Sequence, residues 1–68
     1  MLPAAYQWLT LSDGLLLRFN YRGVATVAPD GSGVIRWHDG PHYFSCRDLA
    51  VARAYVEHWI IARKDVPG

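Results

Sequence analysis

Turn signals interrupt the first 41 residues so often that no element between them can be long. Ser12-Asp13-Gly14 is the first and Asn20 through Gly23 a weaker second. Pro29-Asp30-Gly31-Ser32-Gly33 is the strongest, because Pro fixes φ and Gly permits positive φ. Asp39-Gly40-Pro41 is the fourth. The pieces between are rich in β-branched, aromatic and leucine residues, and their close spacing predicts hairpins rather than crossover connections.

Five strands are expected, over about 7–11, 15–21, 24–28, 34–38 and 41–44. In the fourth, Ile35 and Trp37 alternate with Arg36 and His38. In the second, Leu15, Leu17, Phe19 and Tyr21 alternate with Leu16, Arg18, Asn20 and Arg22. A period of two assigns the first set of each strand to a core and the second to solvent. Val24-Ala25-Thr26-Val27-Ala28 is apolar on both sides and suits a central strand. Trp8 and Thr10 leave the phase of the first strand open.

After Ser45 the period changes. Leu49, Ala52, Val56, Trp59 and Ile60 fall in one helical stripe. Ser45 with Asp48 three residues on resembles a capping box. Arg63 and Lys64 suit the negative end of a helix over about 47–63, and Pro67 stops it. The fold expected is α+β: an antiparallel β-meander of three to five short strands packed on one C-terminal α-helix, in two layers. The 68 residues make one small domain. With 51% apolar and 19% charged residues, the chain is unlike a disordered segment. It is small enough to bury only about 60% of the surface its unfolded form exposes.

Charge and cysteine content narrow the function. Seven basic against six acidic residues give a net charge of +1, which removes any bulk-charge argument for nucleic-acid or anionic-membrane binding. The lone Cys46 excludes an internal disulfide, and a reducing cytoplasm is the simplest expectation. Residues 1–5 lack the pattern of a signal peptide, and Leu15-Leu16-Leu17 is far short of a membrane span.

Few constellations could carry chemistry. His38, His42 and Cys46 are spaced by four with Asp39 between, but Gly40-Pro41 forbids the helix that would align them as metal ligands. Cys46 near a helix start, a base among His38, His42 and His58, and Asp39 or Asp48 to orient it could make a nucleophilic set. A chain this small does not readily exclude water from a reacting centre. No phosphate-loop, dinucleotide or His-Glu-x-x-His motif is present, so no metal, cofactor or catalytic residue is expected.

The remaining feature is a sheet face with no second helix to cover it. Arg18, Asn20, Arg22, Arg36 and His38 are expected to share it, while Asp13, Asp30 and Asp39 sit in turns. Ala54 and Ile61 lie on the helix side away from its stripe and mark an alternative surface for self-association into a homodimer. Tyr21-Arg22-Gly23-Val24 and Ala52-Arg53-Ala54-Tyr55 resemble the opening and the helix of plant AP2-type DNA-binding domains. Those domains carry Arg and Trp on their strands where this chain has Ala-Thr-Val-Ala. The leading expectation is a small, non-enzymatic, cytoplasmic module that binds a protein through the Arg-bearing face. DNA or RNA binding by the same face, with Arg on phosphates, is the alternative, and the resemblance implies the DNA form of it. A Cys/His-dependent metal site or enzyme trails both.

Overall fold

A computed structural model describes residues 2–67. Five strands and one helix follow in order: β1 Tyr6–Leu11, β2 Gly14–Phe19, β3 Arg22–Val27, β4 Ser32–Trp37, β5 Gly40–Ser45 and α1 Leu49–Arg63. The strands form one antiparallel sheet in the order β1-β2-β3-β4-β5, so each hairpin partner is also the sequence neighbour. The helix covers one face over β3 and β4, giving two layers.

The register assigns the faces. Trp8 pairs with Leu17, Leu17 with Ala25, Ala25 with Ile35 and Ile35 with His42. Residues opposite one another share a face, so this row lies under the helix. Leu15, Leu17, Val27, Ile35 and Trp37 pack there against Ala52, Val56 and Ile60. These three are the buried positions of the predicted helical stripe, with Leu49 and Trp59 packed at its margin. Trp37 and Trp59 meet edge to face across the layers, with ring centroids 5.0 Å apart.

A register shift between Leu17 and Arg18 leaves Val24 as the extra residue of a bulge in β3. Val24 and Ala25 consequently both join the buried cluster. The third strand is central, as the apolar residues Val24, Ala25 and Val27 predict.

Most strand ends fall within one or two residues of the sequence reading, and two differences change where side chains go. β2 ends at Phe19, because Asn20 and Tyr21 both adopt left-handed backbone (φ 49° and 69°) and make a two-residue hairpin turn. Tyr21 is therefore 85% exposed rather than part of a core. The helix starts at Leu49, not near 47. Ser45 pairs with Ser32 at the end of β5, and the Cys46 N–H just beyond it donates to the Gly31 carbonyl at 2.9 Å, which keeps both residues out of the helix. Asp48 is the N-cap instead, accepting from the Val51 N–H at 2.9 Å.

Candidate functional site

The uncovered face is built from the other phase of the five strands. Its middle row runs Leu9, Leu16, Thr26, Val34 and Tyr43, each paired with the next across the sheet. At roughly 4.8 Å between strands the row spans about 19 Å. Val34 is only 9% exposed yet stands outside the buried cluster under the helix, so its neighbours on the open face shield it. Tyr43, at the edge, is 79% exposed. No strand contains an Asp or Glu.

Of the five residues expected on this face, the structure places two there. Arg36 precedes Trp37 in β4, points away from the helix and makes no ion pair among the described residues. Arg18 does so in β2, but its guanidinium leans toward β1 and the turn. Its Nη2 donates to Gln7 Oε1 at 2.7 Å, its carbon sits 5.4 Å from the Tyr21 ring centroid, and its Nε is buried without an acceptor. Arg22 is paired with Phe19, the partner that shares the helix-side phase. The unbroken alternation of the sequence runs β2 through the turn and puts Arg22 in the phase of Arg18; the two left-handed residues at Asn20 and Tyr21 break it. Asn20 lies in that turn. His38 lies in the β4–β5 turn, outside either face.

His38 instead belongs to a polar clamp at the far end of the molecule. Its Nε2 lies 2.9 Å from Asp65 Oδ2, and His42 Nε2 lies 2.8 Å from Asp39 Oδ1. An ionised carboxylate only accepts, so both ring nitrogens are assigned as donors. The Trp37 indole N–H also donates to Asp65, at 3.0 Å. Arg63, at the helix end, donates to Asp39 at 2.9 Å and stacks 4.7 Å from the Trp59 ring centroid. These contacts hold the Asp39 carboxyl well below the usual carboxylate range, through the hydrogen bond from His42 and then that from Arg63. Asp65 is lowered too, His38 contributing most. The Arg63 guanidinium is raised, chiefly by Asp39.

The clamp separates the residues whose spacing suggested metal binding. Each histidine is bonded to a different carboxylate, and Cys46 is held by Gly31 at the other end of β5. Among the described residues no group of three or more His, Cys, Asp or Glu is placed to hold a metal ion. Cys46 and His58 line one shallow depression with Ala54, with no hydrogen bond between them. Ile61 lines a different, mostly apolar groove of about 380 Å³ with Tyr6, Phe19 and Val66. Ala54 and Ile61 are both exposed but do not share a depression.

The residues missed from sequence are the apolar ones of the open face. Leu16 lies in the solvent phase that the alternation assigns to it, but its neighbours across the sheet, Leu9, Val34 and Tyr43, become visible only once the strands are in register. No family model matches the chain, no curated protein matches it in sequence, and no solved structure matches it. No helix among the described residues is long and apolar enough to cross a membrane.

Proposed function

We propose that this chain is a small non-enzymatic interaction module, and that the uncovered sheet face receives a partner protein. The observation that supports this most is the transverse row Leu9–Leu16–Thr26–Val34–Tyr43 on a face free of carboxylates, with Arg36 beside it lacking an ion-pair partner among the described residues. Arg and Tyr are the residue types that concentrate binding energy when desolvated against a partner. The partner that fits carries an apolar surface bordered by Asp or Glu, so that a carboxylate meets Arg36 and the apolar row is covered. The reading places the protein in a reducing cytoplasm, where the half-buried Cys46 thiol stays free.

The test is the double variant Arg36→Glu, Tyr43→Ser. Neither side chain belongs to the buried cluster, so melting should move little while partner binding falls. Binding of the wild type to random duplex DNA is measured alongside. Affinity for DNA that drops steeply with salt, through counterion release, would replace a protein partner with nucleic acid.

A further inference from the structure

The two edges of the sheet are unlike each other. Edge strands expose unpaired backbone groups, and proteins blunt them with Pro, charge, bulges or a covering element. On β5, Gly40 is paired with Trp37 across a two-residue turn, and the Cys46 N–H donates to Gly31. Even-numbered residues of β5 therefore bond to β4, and the outward positions are Pro41, Tyr43 and Ser45. Pro41 has no N–H to offer, which spoils this edge for pairing.

β1 itself carries no such device. The strand reads Tyr-Gln-Trp-Leu-Thr-Leu, without charge, proline or bulge. Leu11 is paired with Gly14 across the Ser12–Asp13 turn, and the Asn20 N–H donates to the Ala5 carbonyl at 3.1 Å. Odd-numbered residues therefore bond to β2, and Tyr6, Trp8 and Thr10 face outward. The Tyr6 N–H is already given to the Pro3 carbonyl at 3.1 Å. Among the described residues nothing bonds to the outward N–H and C=O groups of Trp8 and Thr10. The helix backbone packs over β3 and β4; at this edge Glu57 accepts from the Trp8 indole N–H at 2.8 Å and Arg53 lies 5.4 Å from its ring centroid, side-chain contacts that leave the Trp8 backbone groups to a partner strand.

We infer that the β1 edge pairs antiparallel with the β1 edge of a second copy of this chain, joining two five-stranded sheets into one of ten strands. The inference is independent of the proposed function, which uses the sheet face rather than its edge. A two-fold axis makes the pairing self-complementary. The loss of Tyr6 as a donor selects the register. Trp8 of each copy exchanges both backbone bonds with Thr10 of the other, and Leu9 meets Leu9 of the second copy on the open face. The Leu9–Tyr43 row then continues across the axis as one stripe. No charged side chain lies within β1 to oppose a copy of itself.

Sedimentation equilibrium and amide hydrogen exchange test this on the full chain. The expected species has twice the 7.7 kDa of the monomer, and the Trp8 and Thr10 amides gain protection as concentration rises. Thr10→Pro removes two inter-copy hydrogen bonds by symmetry and should weaken dimerisation roughly thirty-fold, at about five-fold per bond. Tyr43→Lys on the β5 edge and Ile61→Glu on the helix should leave it unchanged. If Thr10→Pro fails to fold, the concentration dependence of the two wild-type amides decides alone. A monomer up to the millimolar range, unprotected Trp8 and Thr10 amides, or a dimer that Ile61→Glu breaks while Thr10→Pro spares it would overturn the inference.

Discussion

Trp37 is 5% exposed, and its ring packs on Trp59 while its N–H bonds to Asp65. One side chain thus joins the sheet, the helix and the segment beyond the helix. Trp37→Ala should cost about 3–5 kcal/mol, the usual loss for a buried large aromatic. Trp37→Phe keeps most of the packing and should cost less, and urea titration followed by circular dichroism separates the two. The clamp carboxylates make a second prediction at this scale. Asp39 and Asp65 have pKa values depressed by folding. Such groups stabilise the fold above their unfolded value, about 3.9, and that contribution is lost as pH falls through the folded value. The urea midpoint should therefore drop below about pH 4, and Asp39→Asn with Asp65→Asn should flatten that limb. Equal slopes for wild type and variant would remove the clamp from the stability account. His42 and Arg63 were visible in the sequence as a candidate ligand and a helix-end cation. Their convergence on Asp39 was not, because it joins residues 24 positions apart.

Among the elements, β4 and α1 were the most legible, since each carries its own period. Ile35 and Trp37 alternate with Val34 and Arg36, and Ala52, Val56 and Ile60 recur every four residues. The β2–β3 hairpin was the least legible. Asn-Gly would have announced a left-handed two-residue turn, but here Tyr21 takes the second left-handed position (φ 69°) and the glycine comes two residues later. The alternation consequently ran on through Arg22 and misassigned its phase. The N-cap slipped for a similar reason. Ser45 is a good cap residue by type, yet its pairing with Ser32 ties it to β5. Asp48→Ala should accordingly cost about 1 kcal/mol, and Ser45→Ala should cost less. Gly33 supplies a sharper test of the β3–β4–β5 contact. A Cβ there would lie 2.2 Å from the Thr26 carbonyl oxygen and 2.6 Å from the Phe44 ring. Gly33→Ala should destabilise by about 1–3 kcal/mol, as overpacking does, while Gly23→Ala, whose Cβ meets only Leu16 at 3.4 Å, should be milder. Thermal melts of the two variants compare them directly.

At the scale of the whole molecule, one helix covers one face of a five-stranded sheet, and the other face keeps an apolar row bordered by Arg18 and Arg36. The sequence showed that a face would be left open, because only one helical stripe exists to cover two sheet surfaces. It placed Leu16, Arg18 and Arg36 there, but the turns at Asn20–Tyr21 and His38–Asp39 take the other expected residues off the face, and Leu9, Val34 and Tyr43 join it only through cross-strand register. On the proposed reading this face, and not the helix exterior, receives a partner protein. The most direct measurement places a photo-crosslinking residue at Tyr43 on the face or at Ile61 on the helix and irradiates the chain in its host cells. The Tyr43 probe should capture a discrete partner protein, Arg36→Glu should abolish the capture, and the Ile61 probe should capture none. Capture from Ile61 alone, or capture at Tyr43 that Arg36→Glu leaves intact, would contradict it.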